Sequence, residues 1–173
     1  EARKPGTYSR STVRLIAELE QDVLLAFQEV IANRVGDAIV SEASWKEGIH
    51  FTRGVMLEDS GLISGSSGFT HRKMTFDNDG NAFFIGDNFG LVSIGQAGLT
   101  RQVGIWLLTR AGREVASLLP QNDERPPLRK IAEAMDKSGL KEFFIGRVIP
   151  QNSRQVQILR EEVVWQVPKS SGA

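Results

Sequence analysis

The chain has 173 residues, and its 21 Lys and Arg balance 21 Asp and Glu, so the formal net charge is zero. This length suits one domain, or one domain with a small appendage, and 40% hydrophobic and 24% charged residues are typical of a globular protein. The lack of cysteine excludes disulfides, thiolate catalysis and cysteine zinc sites, and two histidines are too few for a histidine-rich metal centre.

Residues 1–40 are predicted to form paired helices. Ser9 or Ser11 can cap the first helix, and Asp22 can cap a second one after a break near 19–21. Apolar residues recur at helical spacing along both helices: Ile16, Leu19, Val23, Phe27, Val30 and Ile31. We interpret this stripe as facing the core, with a partner-binding amphipathic face as the alternative.

Residues 41–120 are predicted to contain a helix, a set of strands and a second helix. The first helix runs over 51–60 and closes at Gly61 in the left-handed conformation. Strands at 69–76 and 81–85 are predicted to pair as a hairpin around the turn 77–80. The apolar run 104–108 predicts a buried strand, after which Thr109 caps a helix.

Residues 121–173 are predicted to form a helix and two strands that pack on the rest of the chain. The helix begins at Pro126 or Pro127, where proline is tolerated. Strands at 142–149 and 155–167 flank a turn, and the tail Lys169–Ala173 is predicted to be disordered. The order of elements predicts an α+β fold with antiparallel strands.

The candidate motifs for catalysis or metal binding do not match the patterns that these functions require. The run Asp77-Asn78-Asp79-Gly80 would place Thr75 and Gly86 at calcium-loop positions that need oxygen ligands, so a turn is the better interpretation. The glycine-rich run 61–68 lacks the Gly-Lys-Ser/Thr of a phosphate-binding loop. His50 and His71 could each act as a base, but the sequence identifies no partner residue for either histidine.

Two motifs in order resemble the second half of winged-helix domains. In Leu57–Ile63 (LEDSGLI) a helix would end at a Gly-Leu-Ile turn, and strands follow as a wing. Leu108–Val115 (LTRAGREV) then matches the Leu-Thr-x-x-Gly-x-Glu segment that opens the next helix. The resemblance implies a winged-helix-like module over 41–120, with an insert between the motifs that is longer than a usual wing.

The opening Glu1–Thr12 (EARKPGTYSRST) resembles an uncharacterised bacterial family, domain of unknown function 2806. In that family a Pro-Gly-(Ser/Thr)-(Phe/Tyr)-Ser-x-x-Thr segment precedes paired helices and a Leu-Thr-x-x-Gly-x-Glu module. The resemblance covers residues 1 to about 120. It implies that an N-terminal region precedes this chain in a longer protein, and it supplies no catalytic residue.

The winged-helix resemblance raises the prospect of DNA binding, for which the candidate residues are Arg53, Arg72, Lys73, Arg110 and Arg113. The helix that would enter the major groove carries Arg53 against Glu58 and Asp59, and offers no Lys, Asn or Gln to read bases. The candidate wing, 61–100, is net acidic, so its surface would attract phosphates poorly.

We therefore expect a non-enzymatic module for protein–protein contact or self-association within a larger cytoplasmic bacterial protein. The candidate contact residues are Phe83, Phe84 and Trp165. DNA binding is the alternative, and an enzyme centred on His50 or His71 is the third possibility. We expect no cofactor and no metal. We also expect no membrane partner, because no apolar run approaches the ~18 residues of a spanning helix.

Overall fold

The computed structural model describes residues 9–41, 48–68, 70–152 and 155–168, so the predicted tail and the first eight residues of the opening motif lie outside it. Helices and antiparallel strands share the chain without the regular βαβ alternation of a parallel α/β fold. Their bounds are α1 Arg10–Glu18, α2 Gln21–Ile31, β1 Arg34–Val35, β2 Ala38–Val40, α3 Gly48–Asp59, β3 Ile63–Ser64, β4 His71–Thr75, β5 Asn81–Ile85, β6 Phe89–Gly95, β7 Thr100–Leu108, α4 Arg110–Ala116, α5 Arg125–Ala134, β8 Leu140–Pro150 and β9 Val156–Gln166.

The paired N-terminal helices begin in different ways. Ser9 caps α1, because its hydroxyl accepts a hydrogen bond from the Thr12 N–H at 3.2 Å. The prediction that Asp22 caps α2 is wrong, since α2 starts after Glu20 and Asp22 lies inside its first turn. In the described part of the chain, no helix is long and apolar enough to cross a membrane.

The chain divides into two compact units, each built from two stretches of sequence. Unit 1 takes its residues from Glu1–Thr70 and Gly104–Asn122, and unit 2 from His71–Val103 and Asp123–Ala173. The strands after Thr70, which the sequence analysis assigned to a long insert, thus group with the C-terminal helix and hairpin. The first half of β7 belongs to unit 2 and its second half to unit 1.

Unit 1 packs helices against a small antiparallel sheet. The second half of β7 lies between β2 and β3, with Ile39 opposite Trp106 and Ile63 opposite Leu108. The core side chains of this unit come from α2, α3, α4 and these three strands; they include Phe27, Val30, Ile39, Leu57, Leu62, Trp106, Leu108 and Val115. Burial of this apolar surface stabilises the unit.

The two winged-helix-like motifs lie in direct contact within unit 1. Gly61 ends α3 at φ +71°, as predicted. Thr109 donates its N–H to the Leu62 carbonyl at 3.1 Å and its hydroxyl to the Gly61 carbonyl at 2.6 Å. The same hydroxyl accepts from the Gly112 N–H at 3.0 Å and caps α4. The predicted roles of Gly61 and Thr109 are confirmed.

Unit 2 contains a four-stranded antiparallel sheet in the order β5-β6-β8-β9. The predicted hairpin of 69–76 with 81–85 is wrong, because β4 pairs with β7 while β5 pairs with β6. The turn between β4 and β5 is held by Asp77, whose carboxylate accepts from the Asp79 and Asn81 N–H groups at 3.0 and 2.8 Å. This turn redirects the chain from one sheet to the other.

Helix α5 covers one face of this sheet with the buried residues Leu128, Ile131 and Ala132. The Arg129 guanidinium reaches across to β9, with Nη2 2.7 Å from the Glu162 carboxylate. The C-terminal hairpin of β8 and β9 pairs from Glu142 opposite Gln166 to Pro150 opposite Val156. The predicted α+β class, with helices at the start and a β-hairpin at the end, is confirmed.

Candidate interaction surface

The cations proposed for DNA contact in unit 1 are engaged with neighbouring groups. The Arg53 guanidinium lies 2.5 Å from the Glu29 carboxylate. Arg110 lies 3.1 Å from the Glu114 carboxylate, one turn along α4. Arg113 donates from Nη1 to the Leu108 carbonyl at 2.9 Å. Each of these three arginines therefore has a partner within unit 1.

The other two candidate cations, Arg72 and Lys73, lie on β4 in unit 2. The Arg72 guanidinium stands 4.8 Å from the centroid of the Phe84 ring, in a cation–π arrangement. Lys73 is exposed on the opposite side of the strand, since neighbouring side chains alternate. The five candidates thus divide between the two units, three in unit 1 and two in unit 2.

The two histidines also belong to different units. His50 is half-buried in α3, and His71 is exposed on β4. Across the ranges that the structure describes, no group of three or more histidine and carboxylate side chains is placed to hold a metal ion. Neither histidine is therefore part of such a group there.

The three aromatic contact candidates have different surroundings. Phe83 is 47% exposed, whereas Phe84 is fully buried. Phe84 is therefore not available for contact with a partner, because its side chain points from β5 to the face covered by α5. Trp165 is half-buried, with its ring centroid 5.7 Å from that of Phe143.

The face opposite α5, here called the open face, presents a continuous apolar row. Strand register aligns Phe83 with Val92, Val92 with Phe144, and Phe144 with Val163, so the row crosses all four strands. The ends of the row are exposed, at 47% for Phe83 and 46% for Val163, whereas Val92 is buried at 4% and Phe144 is half-buried. Ile85, 38% exposed, extends the apolar surface along β5.

The charges on the open face neutralise each other. Among the described residues whose side chains share this face by register, the charged ones are Glu142 and Arg160. The Arg160 guanidinium forms an ion pair with the Glu142 carboxylate and stacks 4.9 Å from the centroid of the Phe144 ring. The open face is thus apolar and electrically neutral.

The outer strand β9 is poorly suited to pairing with another strand. Its register with β8 shifts twice, between Phe143 and Phe144 and between Ile145 and Gly146. Such irregularities, together with the charged run Arg160-Glu161-Glu162, are features by which edge strands avoid edge-to-edge pairing. Contact through the open face is therefore favoured over strand addition at β9.

Sequence reasoning identified Phe83 but missed Ile85 and Val163 as its companions on the open face. Alternation along β5 could have separated Phe83 and Ile85 from the buried Phe84. Val163 could not be placed, because the register shifts in β9 break the simple alternation. Comparisons with protein-family models, curated proteins and solved structures give no significant match for this chain.

Proposed function

We propose that this chain is a non-enzymatic self-association module of a larger bacterial protein, in which two copies pack their open faces together. The observation that carries this proposal is the apolar row from Phe83 to Val163, whose two ends are half exposed. Burial of such a surface in a dimer is favourable because it removes apolar area from water.

The open face suits a second copy of the same chain. A two-fold axis parallel to the strands would set Phe83 of each chain over Val163 of the other, so the row is complementary to itself. Because Glu142 and Arg160 neutralise each other within one chain, two open faces can approach without charge repulsion. Face-to-face packing of sheets is a common arrangement.

The proposal is tested by size-exclusion chromatography with light scattering over a range of protein concentrations. The unchanged chain is expected to form a dimer, and Phe83→Glu and Val163→Glu are expected to remain monomeric, since each places a charge in the apolar contact. The matched control is Leu118→Glu in unit 1, because Leu118 is 48% exposed and lies off the open face. This control should still dimerise.

A monomer at every concentration, or equal loss of the dimer in Leu118→Glu, would rule the proposal out. Duplex-DNA binding that weakens steeply with salt, measured by fluorescence anisotropy, would support the alternative instead. Alanine variants of Arg110 and Lys73, which are exposed on unit 1 and unit 2 respectively, would then show which unit binds.

A further inference from the structure

Unit 1 has an apolar groove of about 730 Å³ between its first three helices, here called the helical groove. One wall carries Leu15 of α1, Leu19 directly after α1 and Val23 of α2, and the other carries Phe51, Val55 and Met56 of α3. Of the twelve residues in α3, Gly54 and Leu57 are the fully buried ones. The apolar groove side of α3 is therefore only partly covered within unit 1.

The spacing on the α3 wall suits a helix as the occupant. Phe51 and Val55 are four residues apart on α3, and the other wall carries Leu15 of α1 and Leu19, which follows α1 in an extended conformation. Phe51 and Val55 therefore form a ridge along α3, and this ridge and the opposite apolar wall bound a groove into which a further helix can set its apolar side chains. Recognition of an amphipathic helix in an apolar groove follows this pattern.

The rim of the helical groove is acidic. Glu18, Glu20 and Asp59 lie along it, and none of the described residues that line it is basic. Glu18 also forms an exposed ion pair with Arg14, one turn earlier on α1, with 2.9 Å between Nε and the carboxylate. Glu20 and Asp59 add further negative charge beside the apolar walls.

The ends of two helices strengthen this negative potential. Both α1 and α3 finish at the groove, with Glu18 and Asp59 as their last residues. The C-terminal end of a helix carries partial negative charge, which basic residues in the last turn normally offset. Neither helix has a basic residue in its last turn. A cationic partner is therefore complementary to this groove.

We propose that the helical groove binds a cationic amphipathic helix of a partner protein, with apolar side chains between its walls and Lys or Arg against Glu18, Glu20 and Asp59. This site lies in unit 1 and is independent of the proposed self-association in unit 2. The two are separable by experiment, because Phe83→Glu should leave peptide binding unchanged and variants of the groove should leave the dimer unchanged.

The test uses the full chain and a fluorescently labelled amphipathic helix composed of Leu and Lys, followed by anisotropy. A peptide of the same pattern with Glu in place of Lys is the charge control. The Leu/Lys peptide is expected to bind more tightly than the Leu/Glu peptide, and its binding should weaken with salt because the rim charges are exposed to solvent. No binding of the Leu/Lys peptide, or equal binding of both, would overturn the proposal.

Variants of α3 test the apolar part of the site. Phe51→Ser is expected to weaken binding at least about tenfold, since large aromatic anchors dominate such contacts. Ile49→Ser is the matched control, because Ile49 lies on the same helix, is 60% exposed and does not line the groove. Circular dichroism checks that both variants fold. Equal weakening by both substitutions would contradict the proposal.

Variants of the rim test the electrostatic part. The double variant Glu20→Gln, Asp59→Asn is expected to weaken Leu/Lys peptide binding about three- to tenfold and to reduce its salt dependence. The matched double variant Glu133→Gln, Asp79→Asn removes two exposed carboxylates from unit 2 and should have no effect. Complete displacement of the peptide by a small tetraalkylammonium ion at the peptide's own concentration would indicate a small-molecule site and overturn the proposal.

Discussion

Gly112 is required in the first turn of α4 because that helix packs against backbone. A Cβ built at this position would lie 1.9 Å from the Leu62 carbonyl oxygen and 2.9 Å from its carbon. That carbonyl cannot easily move, since it accepts the Thr109 N–H at 3.1 Å. The absence of a side chain at one residue thus allows the two winged-helix-like motifs to meet.

We predict that Gly112→Ala lowers the free energy of unfolding by about 1–3 kcal/mol, because overpacking against a fixed carbonyl outweighs the gain in helix propensity. The measurement is urea denaturation followed by circular dichroism. Gly68→Ala is the control, since a Cβ there would meet no atom within 4 Å and no strained φ is present. Equal urea midpoints for Gly112→Ala and the unchanged chain would show that the Leu62 carbonyl can move away from the added Cβ without a loss of stability.

At the scale of elements, glutamate carboxylates hold two loops by accepting several backbone N–H groups. Glu58 of α3 accepts from the N–H groups of Gly65, Ser66 and Ser67 at 2.8, 3.1 and 2.9 Å. Glu124, which precedes α5 and is 2% exposed, accepts from the N–H groups of Asp87 and Asn88 at 2.9 and 2.8 Å. In both places a single carboxylate thereby fixes a loop that is rich in glycine and polar residues.

The Glu58 contacts predict a pH-dependent stability. The Ser66 hydroxyl, and then the Ser67 and Gly65 N–H groups, hold the pKa of Glu58 at about 2, below its ordinary value of 4.5. Because the folded-state pKa is depressed, the stabilisation is fully present above pH 4.5 and is lost as the pH falls towards 2. We predict that the free energy of unfolding of Glu58→Gln falls less between pH 7 and pH 3 than that of the unchanged chain, as measured by urea denaturation.

In Glu58→Gln, the loss of folding stability at acid pH should be reduced rather than abolished. Hydrogen bonds from the Ser9 N–H and the Thr12 hydroxyl also hold the pKa of Glu114 at about 2, so that carboxylate contributes in the same range. Glu133→Gln, which changes an exposed carboxylate of α5, serves as the control and should keep the pH profile of the unchanged chain. A Glu58→Gln profile parallel to that of the unchanged chain would contradict the role of the loop contacts.

At the scale of the whole molecule, the proposed self-association links stability to protein concentration. A dimer that forms from folded chains stabilises the folded state by mass action, so its Tm rises with concentration. We predict such a rise for the unchanged chain in differential scanning fluorimetry, and a constant Tm for Phe83→Glu. A Tm that is independent of concentration in both would indicate that folded chains do not associate over that range.

The sequence determined the local features of this protein. The left-handed exit at Gly61 and the cap at Thr109 depend on side chains and backbone within a few residues, so pattern alone predicted them, whereas it left Ser9 and Ser11 as alternative caps of α1. The order of helices and strands along the chain predicted the class of fold. Composition also excluded disulfides and cysteine metal sites. The caps and the left-handed exit are set by short-range sterics and hydrogen bonding.

The tertiary structure decided which distant segments meet. Four features depend on residues far apart in sequence. They are the pairing of β4 with β7, the burial of Phe84, the alignment of Phe83 with Val163 and the walls of the helical groove. A strand can pair with several others at similar local cost, and a one-residue shift of register exchanges its faces. The open face arises from such pairings and the helical groove from the packing of α1, α2 and α3, so neither could be assembled from sequence pattern alone.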